Sequence, residues 1–419
     1  VRRYRAALVP LALGLSCTDA PTAPGRCPDF CPPGDVQFVD TLLATVITGD
    51  SAFEGYLEPA TATALIGATA PGVVDSRPIM RFNPIGATVR LGSDTTQRPI
   101  LATDSARLHL LIVRRDTNVT NLRVLVSRLA AAIDSNTTFG DVTGPFADSL
   151  VRVVNVDSLL DASNNKDTVT RDSVARVFQG VRVFIHLDSA QARFVAADSG
   201  TLAYGIRIAA DAPTSAVLAS GEAVDAPLID WFFSVDSAGQ TVHTDRTVAP
   251  VFDTYLIDPP APPFGSTLAV GGMPAARSVM RVALPARLRD STQILRATLL
   301  LVPAAPVVGI PADSFKLVAH AVAADLGSKS PLITSTNPAD SSFFGSASVR
   351  IGSADTLRVE ITRVLRRWVA DTNAPMTMIL HSGSEGVLLT QARFESSRNP
   401  ALRPAVLLTY ATRFPFGVP

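Results

Sequence analysis

The sequence predicts an all-β protein: two tandem antiparallel β-sandwiches of jelly-roll type, each carrying a short helix. Three observations lead there. Apolar runs of about four to eight residues, rich in Val, Ile and Leu, recur along the chain between clusters of Asp, Ser, Asn and Thr, which is the spacing of short strands and turns. A block in the first half returns in the second. The composition, 47% hydrophobic and 18% charged with 31 Pro and 26 Gly in 419 residues, is that of a turn-rich globular chain with room for two cores.

Taken in order, the chain opens with Arg2, Arg3 and Arg5 ahead of an apolar run, Ala6 to Leu15, that ends in Leu15-Ser16-Cys17. A basic start before roughly ten apolar residues reads as an export signal and is too short to span a bilayer. Its end resembles the lipobox of bacterial lipoproteins, in which cleavage leaves an N-terminal Cys that carries acyl chains. Ser16 fits that pattern, whereas Gly14 stands where Leu is usual. The resemblance implies lipidation of Cys17, and Thr18 after it implies sorting to an outer membrane; the alternative is an ordinary cleaved signal over 1–17. Residues 18–35 are Pro-rich and form an extended tether. Cys27 and Cys31 within it suit a small disulfide loop in an exported protein, since two thiols without a nearby His do not complete a zinc site.

The first domain is expected over 36–238. In VRVFIHLD, Val181, Val183, Ile185 and Leu187 alternate with Arg182, Phe184, His186 and Asp188, which gives one buried and one solvated face. DSAQARFVAAD then breaks the alternation: Asp188 or Ser189 can cap a helical turn or two, with Ala190, Phe194 and Val195 as its apolar edge. The aromatics of PLIDWFFSVD read as core or inter-domain packing. His109 and His186 are isolated on predicted strands and read as structural residues. DASNNKD, Asp161 to Asp167, alternates oxygen-bearing side chains as a calcium loop does, but lacks the Gly and the terminal Glu of that arrangement. It reads as a solvated loop, so no cofactor is expected.

The polar stretch 239–251 is expected to be a linker, with the second domain over 252–412 and a tail at 413–419. The repeat is specific. Ser76-Arg77-Pro78-Ile79-Met80-Arg81 aligns with Ala276-Arg277-Ser278-Val279-Met280-Arg281, and the segment starting at Leu187 aligns with the one starting at Ile361. The shift between the two alignments places extra residues in the first copy, in the polar region Asp134 to Asp172. In TRVLRRWV, Thr362 is expected to cap a helix whose Val364, Leu365, Trp368 and Val369 face the core, while Arg363, Arg366 and Arg367 face outward. Those three arginines read first as a solvated face and second as contacts for an anionic ligand.

The second copy, from about Phe252 to Ala411, resembles the DNRLRE family, also classed as carbohydrate-binding module family 96. The likeness rests on Asp253-Thr254-Tyr255, on RSVMRVALP, on the strand leading into TRVLRRWV and on the closing RFESSRNPALRPAVLLTY. It implies a β-sandwich of an exported surface protein, with a binding or structural role. The first domain resembles the family only through the repeat.

Lys and Arg together number 37, as do Asp and Glu, and no basic run is interleaved with aromatics, so nucleic-acid binding lacks its electrostatic drive. A local Arg patch can still meet an acidic polymer. No G-x-S-x-G, H-E-x-x-H, P-loop or G-x-G-x-x-G occurs, and an enzyme is not expected. The expected function is a non-catalytic, lipid-anchored surface protein binding glycan or matrix. The alternative is a structural subunit engaging another envelope protein, and a third reading is a polysaccharide-active hydrolase with a site invisible in sequence. The membrane is reached through the lipid anchor alone. Mass spectrometry of the mature protein should find acyl chains on Cys17; an unmodified N-terminus lacking Cys17 contradicts this.

Overall fold

The computed structural model describes residues 38–412 apart from 55–63, 72, 84–86, 93–94, 130–132, 149, 193–201, 259–263, 273–274, 311–313, 327–343 and 386–387. The export-like segment, the tether with Cys17, Cys27 and Cys31, and the tail at 413–419 lie outside the described residues.

In chain order the elements begin with β1 (Phe38–Leu43), β2 (Ile47–Glu54), β3 (Ala64–Ala70), β4 (Val74–Phe82), β5 (Thr88–Val89), β6 (Arg98–Arg115) and β7 (Arg123–Leu129). Next come α1 (Phe139–Asp148), β8 (Leu150–Asn155), α2 (Val156–Asp161), β9 (Ser173–Val177), β10 (Gly180–Asp188), β11 (Leu202–Ala209), β12 (Thr214–Ala219) and β13 (Leu228–Ser237). They continue as β14 (Gln240–Val248), β15 (Pro250–Asp258), β16 (Leu268–Gly271), β17 (Ala276–Val282), α3 (Ala286–Asp290), β18 (Thr292–Leu301) and β19 (Phe315–Ala321). The last are β20 (Phe344–Val349), β21 (Leu357–Glu360), α4 (Thr362–Ala370), β22 (Thr377–Ser382), β23 (Gln391–Phe394) and β24 (Ala405–Thr412).

The chain is all-β, with antiparallel sheets that curl into sandwich-like half-barrels and a few short helices. In the C-terminal unit a four-stranded sheet, β1-β24-β18-β21, packs on a seven-stranded one, β20-β19-β22-β17-β16-β23, with β2 beside β17. Leu299, Val359, Met280, Leu317 and Phe394 fill the space between, and Trp368 from α4 plugs its end at 1% exposure. The N-terminal unit repeats this strand for strand. Its β14-β13-β6-β10 answers to β1-β24-β18-β21, and its β8-β7-β11-β4-β3-β12, with β15 on β4, answers to the seven-stranded sheet. Here the long β6 also pairs β12, which fuses both layers. With β5 on β6 and β9 on β10, which have no counterpart among the described residues of the C-terminal unit, the sheet counts thirteen strands. Val183, Ile185 and Leu187 are fully buried on β10, as their alternation requires, and Trp231 and Phe233 join the core while Phe232 points outward over Arg107.

The correspondence exposes an exchange that the domain boundaries at 36–238 and 252–412 do not anticipate. The leading strands β1 and β2 sit on the C-terminal unit, Phe38 opposite Ala411 and Asp50 opposite Met280. The leading strands of the second copy, β14 and β15, sit on the N-terminal unit, with Asp253 opposite Met80. The stretch 239–251, expected as a linker, therefore holds the whole of β14 and the start of β15. Its polarity is that of an edge strand wetted on its outer face, not of a loop.

Each exchanged pair of strands is locked by one aspartate at the same register. Asp50 is buried, and its carboxylate accepts from the Ser397 backbone N–H at 2.6 Å and the Ser397 hydroxyl at 3.0 Å. Asp253 accepts from the Gly221 backbone N–H at 2.5 Å, and burial raises its carboxyl above the usual range. The two units also touch through Ala68 and Ala70 against Ile310.

Helices depart from expectation in three places. Thr362 is the first residue of α4 and caps nothing; its hydroxyl accepts from the Ala297 N–H at 2.7 Å, tying α4 to β18. At Asp188 the turn forms a reciprocal cap, with the Gln191 N–H on the Asp188 carboxylate at 2.9 Å and the Asp188 N–H on the Gln191 amide oxygen at 3.0 Å. Phe194 and Val195, the apolar edge expected there, lie outside the described residues. The polar region Asp134 to Asp172 is not a plain loop: it holds α1, β8 and α2, the last capped by Asn155, whose side-chain oxygen accepts from the Ser158 N–H. The α1 side chain of Phe146 covers Gly205, where a Cβ would come within 2.0 Å of the ring, so only glycine lets this helix close on β11.

If the aspartate locks matter, Asp50→Ala should cost about 1–3 kcal/mol in urea unfolding, since it strands two donors. Asp253→Asn should cost less, because Asp253 accepts fewer bonds and its charge is disfavoured by burial.

Candidate functional site

The site follows from one irregularity in β18. Ile294 and Ala297 both face the core, which period-two alternation forbids without an extra residue. A bulge supplies it: pairing with β24 jumps from Ile294↔Tyr410 to Arg296↔Thr409, skipping Leu295. Arg296 is thereby turned to the outer face. The bulge also leaves carbonyls without ladder partners, and Arg366 of α4 takes them, Nε to the Ile294 oxygen at 3.0 Å and a terminal nitrogen to the Leu295 oxygen at 3.1 Å.

On that outer face two open depressions adjoin. One, about 310 Å³, is lined by Asp40, Arg296, Thr298, Arg358, Glu360, Leu407 and Thr409. The other, about 620 Å³, adds Phe344, Ser346, Thr362, Arg363 and Arg366 and shares Arg296 and Glu360. Together they make a shallow trough across the four-stranded sheet, from the edge strand β1 to α4. Four arginines meet two carboxylates in it. Arg296 reaches Glu360 at 3.3 Å, but both are well exposed, so the pair holds little energy. The Glu360 carboxylate also accepts from the Thr362 N–H and hydroxyl, and Asp40 accepts from the Thr409 hydroxyl at 2.5 Å. Both carboxylates are thus engaged, while Arg358 and Arg363 are exposed with no hydrogen bond or ion pair among the described residues. Gly345 keeps β20 close to this wall, since a Cβ there would lie 1.5 Å from the Glu360 carbonyl oxygen.

Of the three arginines singled out by sequence, Arg363 lies in the trough and Arg366 lies at its rim in a supporting role. Arg367 is half-buried, is absent from the lining and has an interaction of its own. Sequence reasoning missed Arg296, Arg358, Glu360 and Asp40. The alternation of LRVE could have flagged Arg358 and Glu360; the bulge that turns Arg296 and the exchange that brings Asp40 leave no local mark.

A second charged cluster lies on the outer face of the seven-stranded sheet. Arg277 and Glu385, 6% and 4% exposed, form a two-pronged pair at 2.9 and 2.5 Å. His381 beside it sits 3.9 Å from Glu385, yet burial first, then the charge of Arg277, drive its pKa down to about 4, so it is neutral and its Nδ1–H donates to the Ser382 carbonyl. Arg77, the repeat counterpart of Arg277, is held instead by Asp75 at 2.8 Å and by the rings of Phe139 and Phe146.

His109 lies 2.9 Å from Asp230 and edge-on to Phe184, and burial lowers its pKa; His186 is lowered for the same reason. In the DASNNKD segment Asp167 turns its carboxylate onto the Val169 and Thr170 N–H groups, which hold its pKa down. Among the described residues no three His, Cys, Asp or Glu side chains are grouped as metal ligands, and no helix is long and apolar enough to cross a membrane. No family model matches the chain, and neither does any curated protein.

Two outcomes are expected. Arg277→Ala should destabilise by about 3–5 kcal/mol in denaturant, because the buried Glu385 carboxylate loses its two-pronged cationic partner. Because His381 binds its proton more weakly folded than unfolded, stability should fall as pH drops from about 6.5 to about 4, by up to about 3 kcal/mol, and His381→Asn should flatten that slope in pH-dependent urea melts.

Proposed function

We propose that this chain is a non-catalytic binding protein of the bacterial cell surface that holds an acidic polysaccharide in the trough on its C-terminal unit. The observation that carries the reading is the charge balance there: Arg296, Arg358, Arg363 and Arg366 against Asp40 and Glu360, with Arg358 and Arg363 unpaired among the described residues. A shallow, open, Arg-rich channel along a sheet suits an extended polyanion better than a small substrate, which needs an enclosing pocket. The resemblance of this unit to the DNRLRE family implies an exported module with a binding or structural role, which is consistent with a glycan ligand. The export-like start and the lipobox-like Cys17 support a place outside the cytoplasm with anchoring in an outer membrane.

One observation favours a second reading, a structural subunit that engages another envelope protein. The edge strand β1 has Phe38 68% and Leu42 57% exposed and carries a single charge, so it lacks the usual protection of a free edge.

A glycan array with neutral and acidic polysaccharides separates these readings. Binding confined to uronate- or sulfate-bearing chains and weakened by salt is the expected result. Arg358→Gln with Arg363→Gln should weaken it about tenfold or more. No binding to any glycan overturns the proposal.

A further inference from the structure

We propose that the seat of the β1–β2 arm on the C-terminal unit is an interaction surface for a second copy of this chain, which fills it with its own arm. Within one chain the seat is already occupied by residues remote in sequence. Six positions of β1 pair with β24, from Phe38↔Ala411 to Leu43↔Val406, and β2 pairs with β17 from Ala276↔Glu54 to Val282↔Ile47. The arm pairs with no strand of the N-terminal unit among the described residues, and the nine residues 55–63 join it to β3. It can therefore leave its seat without breaking any other ladder.

Everything that holds the arm re-forms when the arm comes from another copy: Asp50 on Ser397, Asp40 on Thr409, and Val46 and Ile47 in the core. The closed monomer and the exchanged pair thus share their contacts and differ in connection alone. The arm in its own chain competes with the incoming one for the same seat, so exchange grows with protein concentration. Reciprocal donation closes as a two-fold pair and does not run on into fibres. The equivalent strands β14 and β15 are not donated in this way, because the chain runs from β13 of the N-terminal unit into β14 and from β15 on to β16 of the C-terminal unit. In the exchanged pair each trough receives its Asp40 wall from the incoming arm, whether or not a glycan binds there.

The test uses the full chain with Cys17, Cys27 and Cys31 replaced by Ser. Leu42 lies opposite Leu407 on the outer face. Leu42→Cys chains and Leu407→Cys chains are mixed in denaturant, refolded together over a range of concentrations and oxidised. A double variant with both cysteines in one chain reports the seat itself. The expected result is that the double variant closes as a monomer in dilute solution, while the mixed chains form a disulfide-linked dimer whose share rises with concentration. If the double variant closes as a monomer at every concentration and the mixed chains never link, the exchange between copies is refuted. If the double variant fails to close at all, the seat is wrong and the proposal falls with it.

Discussion

The architecture depends on where two pairs of leading strands go. Tandem repeats ordinarily fold each on its own strands, yet here each repeat lends its first two strands to the other, and Asp50 and Asp253 hold them at matching positions. Neither unit has a complete sheet without a segment from the other repeat. The chain is therefore one cooperative object, not two beads, and its N-terminal strands find their seat only once the last strand, β24, exists. Contacts of such long sequence separation form slowly, because loop closure must precede their gain.

The trough inherits this dependence. Its floor is the outer face of a sheet whose inner face is the C-terminal core, its edge is the borrowed β1, and its arginines stand where a bulge and a helix put them. Arg366 shows how structure and function divide within one helix: it holds the two bulge carbonyls, and Arg296 faces the channel as a result. The buried Arg277–Glu385 pair on the opposite sheet works differently. Its geometry is good and its environment dry, so it fixes the loop that carries Glu385 while adding little net stability over an apolar pair.

Much of the fold was legible in the residues. Alternation at Val181 to Leu187 named the buried face, the repeated R-x-x-M-R marked equivalent strands, and the spacing of Val364, Leu365 and Trp368 placed α4 against the core. The exchange was not legible, because two similar repeats make either pair of leading strands a plausible partner for either unit. What separates them is tertiary: Thr247 on Asp230 and His243 on Asp104 suit β14 to the N-terminal unit, and Asp40 with Thr409 suits β1 to the other. The site was half legible for the same reason. An arginine cluster shows in sequence, whereas a bulge at Leu295 is decided by pairing and by a side chain some seventy residues away.

The central claim is that the N-terminal strands complete the C-terminal unit. Spin labels at Leu42 and Leu407 test it most directly, compared with labels at Leu42 and Asp230, the position β1 would face if each repeat kept its own leading strands. Strong dipolar broadening of the continuous-wave EPR spectrum for the first pair, and none for the second, is the result this arrangement requires. Broadening for the second pair and none for the first would contradict it.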